Sequence, residues 1–257
     1  MCNSDLLSLY KNKPCQVFPT AFWKVLNRNY TTNYTYTNGI ISELELFDNN
    51  NFFLYFNSQR DLPSRLIDAI KSSKLILLHN DYYKSEYNKY FDDVRPYFRL
   101  FHDNMHLNQI HLVEEYSIVD VDFKKDAEMI ADFIKLCYGY FKPSVDEVYS
   151  WMNRSVFDGH LWIWINLKSG EHVALAIAEI DKLVPEMSLE WIQVHPGHRG
   201  KGLASVLIQE LLIRAKDKVV FSTVSGEVDN ATEPEKVYRK NLFTGNDIWW
   251  CMRKKSR

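Results

Sequence analysis

The sequence predicts a mixed α/β layer protein, and three observations carry that prediction. Helix-like and strand-like apolar periodicities alternate along the second half of the chain. One apolar run there stops at a glycine-rich turn and passes at once into a helical pattern. Hydrophobic residues make up 46% and charged residues 25% of the 257 residues, the composition of a globular protein with a sizeable core.

The first half, to about residue 112, is rich in Tyr, Phe and Asn. "NYTYTNGIISELELFDNNNFFLYFN" reads as two strands joined by the polar turn "DNNN". "DLPSRLIDAIKSSK" reads as a helix with Pro63 in its first turn and Leu66, Ile67 and Ile70 on one face. "LILLHN" is a short buried strand. "VRPYFRLFH" is another, and its proline points to a sheet edge. This is a small α/β unit without a catalytic motif.

The stretch "HDNMHLNQ", residues 102–109, marks the expected boundary between domains at 1–112 and 113–257. Beyond it "YSIVDVDF" alternates as a strand. "KKDAEMIADFIKLCYGY" is helical, with Ala127, Ile130, Phe133 and Ile134 on one face. "SVDEVYSWMNRS" is a second helix capped by Ser144. "HLWIWIN" and "HVALAIAEI" are strands around the turn "LKSGE", and "MSLEWIQV" is a third. A helix at 200–216, the strand "VVFSTVS", a helix near 233–241 and the strand "DIWWCMR" complete the chain.

A net charge of −2 argues against a general nucleic-acid or membrane-surface binder. Cys2, Cys15, Cys137 and Cys251 lie far apart and make no C-x-x-C pair, so they read as reduced packing thiols. The opening "MCNSDLLSLYKNKP" has no apolar run of signal-peptide length, and no segment approaches the ~18 apolar residues of a membrane helix. The expectation is a cytoplasmic protein. His102, His106 and His111 lack companion Cys or carboxylate ligands, so they read as solvated linker histidines and no metal is expected. His160 and His172 begin apolar strands and read as structural.

The most informative stretch is "EWIQVHPGHRGKGLASVLIQ", residues 190–209. The first N–H groups of a helix have no intrahelical partner and carry the positive end of its dipole. Gly200 and Gly202 permit unusual dihedrals and close approach to the backbone, and Arg199 and Lys201 add charge. The product is an anion cradle suited to a phosphate or pyrophosphate. The spacing is neither that of a P-loop nor that of a dinucleotide fingerprint. The competing reading is a glycine-rich turn that only starts a helix.

"IQVHPGHRGKGLASVLIQELL" resembles the acetyl-CoA signature of the GNAT superfamily of N-acetyltransferases. There a strand ending in V-x-P leads into [RQ]-x-x-G-x-[GA] at a helix start, and Arg199, Gly202 and Ala204 fill those positions. The tail "DNATEPEKVYRKNLFTGNDIWWCMRK" resembles the family's last helix and strand, with Tyr238 before Phe243 and Leu242 where the family has glycine. The resemblance covers about residues 113–257, and is to bacterial members with an added N-terminal domain. It implies an α/β GNAT fold in the C-terminal half and acetyl-CoA as co-substrate.

It further implies that the pyrophosphate sits on backbone N–H groups of Arg199, Gly200, Lys201, Gly202, Leu203 and Ala204, and that pantetheine pairs along Ile192, Gln193 and Val194. An N–H near Val194 would polarise the thioester carbonyl. An amine of pKa ~10.4 must lose a proton to attack. Glu190 is the candidate base, because strand alternation gives it the parity of Ile192 and Val194. Ser188, of the same parity, is an alternative water holder, and Glu227 and Asp229 are weaker bases. Tyr238 is the candidate acid, a phenol protonated at neutral pH and able to donate to the departing thiolate. Asn230 is placed on the pantetheine by the resemblance, while Thr232 with Glu235 reads as a capping box that explains the segment without a ligand. Tyr138, Tyr140 and Phe141 form an aromatic wall suited to an apolar amine, or to ordinary packing.

The expected reaction is acetyl transfer to a primary amine of a small molecule or peptide, by direct attack in a ternary complex. The alternatives are a catalytically silent CoA-binding module, a transferase using a longer acyl-CoA, and a phosphate-binding protein without CoA. The N-terminal domain is open between a cover over the acceptor site, a homodimer interface and a decayed copy of the same fold.

Overall fold

The computed structural model describes residues 4–26, 30–49, 52–58, 64–109, 111–139 and 141–254. In chain order the elements are α1 (Ser4–Asn12), α2 (Pro14–Val17), α3 (Phe22–Leu26), β1 (Thr31–Thr37), β2 (Ile40–Phe47), β3 (Phe52–Asn57), α4 (Ser64–Ser72), β4 (Leu75–His79) and β5 (Asp93–His102). They continue with β6 (Tyr116–Asp120), α5 (Ala127–Tyr138), α6 (Val145–Met152), β7 (Trp162–Leu167), β8 (His172–Asp181), β9 (Glu186–Val194), α7 (Leu203–Ala215), β10 (Phe221–Glu227), α8 (Pro234–Lys240) and β11 (Thr244–Arg253). No helix among the described residues is long and apolar enough to cross a membrane. The α/β class and the order of the C-terminal elements follow the sequence reading.

The chain forms two compact units that are not continuous in sequence. One comprises Met1–Phe101, Ser225–Glu235 and Gly245–Arg257; the other comprises His102–Val224 and Lys236–Thr244. The last strand of the chain therefore belongs with the first hundred residues.

In the first unit the strands lie in the order β1-β2-β3-β4-β11-β5. The N-terminal sheet has one more strand than the sequence pattern predicts. Asn38 and Gly39 both take positive φ (52° and 76°), which makes a two-residue hairpin turn and splits that segment into β1 and β2. Pro63 and part of the "DNNN" turn lie outside the described residues. Leu66 and Ile70 of α4 are fully buried against β3 and β4, as their spacing predicts. β5 is not an edge strand. β11 lies on one side of it, and on the other Val228 N–H donates to the Pro96 carbonyl (3.0 Å). Proline removes only a donor, so its carbonyl still serves the ladder.

The second unit has the order β10-β9-β8-β7-β6. β6 to β9 are antiparallel neighbours, and β9 pairs in parallel with β10 through the crossover helix α7. Ala127, Ile130, Phe133 and Ile134 of α5 pack with Trp151 of α6 onto Trp162, Trp164, Leu175 and Ile177 of the sheet. Ser144 caps α6 with a complete capping box, accepting from Glu147 N–H (3.1 Å) while Glu147 accepts from its own N–H (2.7 Å). His102 is not a solvated linker residue. It is buried, hydrogen-bonded to Asn104 (3.1 Å) and packed on the Phe243 ring. His106 and His111 are exposed, as expected.

Candidate functional site

The site begins where β9 loses its neighbour. The parallel ladder with β10 runs from Phe221↔Glu186 to Val224↔Leu189 and stops. From Trp191 to Val194 the edge of β9 away from β8 carries no ladder partner among the described residues. On the β8 side Ile177 faces Trp191 and Ala178 faces Leu189, so Glu190 is the extra residue of a β-bulge.

The bulge overturns the parity argument for Glu190. Trp191 pairs with Ile177 and packs on the core beneath α5 and α6. Ser188 pairs with Glu179, two places along β8 from Ile177, and so shares that face. The Ser188 hydroxyl donates to Glu190 Oε1 at 2.8 Å, which holds the carboxylate on the α5/α6 face. Ile192, paired with Ala176, lies on the opposite face. Strict alternation fails here because one inserted residue reverses it.

That face is aromatic. Trp191 stacks on Phe141 (5.8 Å between centroids) and on Trp151 (5.6 Å), and Tyr138 meets it edge-on (5.6 Å). Tyr140, the third residue of the expected wall, lies outside the described residues.

After Val194 the chain makes a short turn at Pro196–His198, with Gly197 N–H donating to His195 Nδ1 (3.0 Å). Gly200 and Gly202 both have φ of +79°, and a Cβ on either would meet nothing within 4 Å. Glycine is therefore required by the left-handed dihedral rather than by crowding. The N–H groups of Gly200, Lys201 and Gly202 reach no backbone acceptor among the described residues. Those of Leu203 and Ala204 open α7 and have none within the helix. The cradle has its donors available.

The two cations are tied down differently. Arg199 Nε donates to the Val194 carbonyl (3.3 Å) and its Nη2 to the Cys137 carbonyl (3.5 Å). Cys137 Sγ also reaches the Val194 carbonyl (3.6 Å), and burial pushes this thiol up to about 11. Lys201 Nζ donates to Tyr116 Oη (2.9 Å) and lies 3.7 Å from Glu115. Tyr116 Oη also meets His198 Nδ1 (3.2 Å). Glu115 and Tyr116 escaped the sequence reading, since no spacing rule links them to residues 198–201.

Tyr238 lies in α8 and is buried. Burial, then the fields of the Tyr138 hydroxyl and the Glu190 carboxylate, raise its pKa well above the ordinary phenol range. The phenol is thus held neutral and near the other two groups. Leu242, in the family's glycine position, has φ +67°. Asn230 belongs to the Ser225–Glu235 segment of the first unit. Its Oδ1 accepts from the Thr232 N–H (2.9 Å) and hydroxyl (2.7 Å). Glu227 is paired with Arg95 (3.5 Å). Among the described residues no three His, Cys, Asp or Glu side chains cluster as metal ligands.

Residues 127–240 match the family model described as Acetyltransferase (GNAT) family. No curated protein sequence matches the chain. Among solved structures it is similar to a GCN5-related N-acetyltransferase from Sphaerobacter thermophilus, with 13% identity and a TM-score of 0.64 over 84% of this chain and 78% of that one. It is similar to an acetyltransferase from the GNAT family from Colwellia psychrerythraea, with 13% identity and a TM-score of 0.60 over 99% and 98%. It is also similar to a tandem GNAT protein from the clavulanic acid biosynthesis pathway, with 12% identity and a TM-score of 0.51 over 89% and 84%. At these identities the structural likeness is one of fold. The family model, by contrast, matches from the start of α5 to the end of α8 and so takes in the bulge, the cradle and Tyr238. Through that segment the chain is similar to the GNAT acetyltransferase family, a likeness that supports acyl transfer from an acyl-CoA.

Proposed function

We propose that the chain transfers an acetyl group from acetyl-CoA to a primary amine by direct attack in a ternary complex. The observation that carries this reading is the open edge of β9 followed, after the Pro196–His198 turn, by the Gly200–Gly202 N–H groups, which meet no backbone acceptor among the described residues. Pantetheine amides would pair along Ile192, Gln193 and Val194, and the pyrophosphate would take the N–H groups from Gly200 to Ala204, since the Arg199 N–H already donates to the Pro196 carbonyl (3.5 Å). Arg199 is exposed and reaches the Val194 and Cys137 carbonyls by long contacts (3.3 and 3.5 Å), so it is able to turn toward a phosphate. An N–H near Val194 would polarise the thioester carbonyl.

In this reading Glu190 takes the proton of the amine as its nitrogen attacks the thioester carbon. The C–N bond forms, the C–S bond breaks, and Tyr238 hands its proton to the departing thiolate. The raised pKa of Tyr238 keeps that proton in place at neutral pH. Ser188 orients Glu190. The acceptor is a small-molecule or peptide amine.

The test is release of free CoA thiol from acetyl-CoA against a panel of primary amines. Glu190→Gln and Tyr238→Phe should each lower kcat by about 100-fold, with acetyl-CoA binding retained. Binding without thiol release for any amine would favour a silent CoA-binding module. Faster turnover of longer acyl-CoAs would displace the acetyl assignment.

A further inference from the structure

From β1 to β5 the first half of the chain repeats the strand pattern that the second half shows from β7 to β11; β6 has no counterpart among the described residues. β1 and β2 are antiparallel, as are β7 and β8. β2 and β3 are antiparallel, as are β8 and β9. β3 and β4 are parallel through α4, as β9 and β10 are through α7. A short helical segment and a strand of ten residues then follow in both: the 3₁₀ turn Ser85–Tyr90 and β5, against α8 and β11. Composition gives no hint of this, because the paired residues differ almost everywhere.

The shared register lets the two halves be compared residue by residue. The parallel ladders have the same four rungs, Phe52↔Leu75 to Tyr55↔Leu78 and Glu186↔Phe221 to Leu189↔Val224. The residue after the last rung is Glu190 in one half and Phe56 in the other, where it is buried. The β8–β9 register shifts at that level, whereas the β2–β3 register runs without a shift from Glu43↔Asn57 to Phe47↔Phe53. Between strand and helix the second half has "HPGHRGKG"; the first has "SQRDLP", with no glycine and with an acid, Asp61. One group survives. Tyr87 stands six residues before the start of β5, as Tyr238 stands six before the start of β11. Both are buried, and burial raises the pKa of both.

We propose that the first half of the chain, through β5, is a second copy of the acyl-CoA fold that has lost its bulge, its carboxylate and its cradle, so that the chain takes up one acyl-CoA, at residues 199–204. A left-handed turn of free N–H groups needs glycine, and none is present to build it in the first copy. Without the bulge the β3 edge has no device for turning a polar side chain toward a thioester. The proposal rests on the acyl-CoA reading of the 199–204 cradle.

The experiment is native mass spectrometry and calorimetric titration of the full chain with acetyl-CoA, on the wild type and on Arg199→Glu. The expected result is one equivalent per wild-type chain, and binding weakened at least about 100-fold in the variant with no residual tight site. Two equivalents, or saturable micromolar binding that survives in Arg199→Glu, would overturn the silent copy while leaving the acyl-CoA reading intact. No binding to the wild type would overturn that reading and the one-site proposal with it. The wild-type stoichiometry decides between one site and two even if the variant fails to fold.

Discussion

Cys137 shows how one side chain reports on the site. Its thiol sits against the Val194 carbonyl at the end of the open strand, and burial raises its pKa from 9.0 to about 11. A raised thiol pKa means less thiolate at any lower pH. At pH 8 the reactive fraction is about 100-fold below that of an ordinary thiol of pKa 9, and it grows about tenfold per pH unit until near 11. Iodoacetamide labelling read by peptide mass spectrometry should follow that slope. Saturating acetyl-CoA should slow it further, since pantetheine would run along the same strand. Labelling of Cys137 at the rate of a free thiol at pH 8 would contradict the packing described here. At this scale the sequence showed the residue types of the site but not their pairing. Lys201 reads in the sequence only as added charge, and the fold brings it Glu115 and Tyr116 from the start of β6.

Among the elements, α8 and its exit carry the clearest strain. Leu242 holds φ +67°, a conformation that costs a branched residue about 1–2 kcal/mol. The turn is nevertheless fixed, because Leu242 N–H donates to Arg239 (3.1 Å) and Phe243 N–H to Tyr238 (3.1 Å). Leu242 is partly exposed, so little packing is lost on removing it. Leu242→Gly should therefore raise stability by about 0.5–1 kcal/mol, the strain relieved less the extra unfolded-state freedom of glycine. Thermal or urea unfolding measures it, and a loss of stability would mean that the Leu242 side chain packs more than its exposure indicates. Elements with a strong local signal are legible in the sequence. The buried face of α5 follows from its apolar spacing, and the cap of α6 from Ser144 and Glu147 three residues apart. The Asn38–Gly39 turn is also a local signal, and reading residues 33–47 as one strand overlooks it.

For the whole molecule, the position of β11 matters most. It is the final strand, yet it pairs antiparallel with β4, from Trp249↔His79 to Arg253↔Leu75, within the first unit. Trp249 and Met252 are buried there, and the Trp249 indole N–H donates to the Cys15 carbonyl (2.7 Å). A fragment of residues 113–257 would carry this strand without its partner and expose both side chains to water. The expected outcome is no cooperative unfolding transition for the fragment by circular dichroism, against a sharp one for the full chain. A fragment that folds cooperatively would show that the C-terminal half closes by itself.

The sequence by itself determined the fold class, the order of the C-terminal elements and the glycine turn before α7, because periodicity, caps and glycine dihedrals act over a few neighbouring residues. Tertiary structure decided what depends on register and on distant partners. It set the bulge that turns Glu190 to the face of Trp191 and buried His102 under Phe243. It also sent the last strand back to β4 and matched the first half to the second. None of these leaves a local trace, since a strand carries no mark of which strand it will join or where one extra residue will be accommodated.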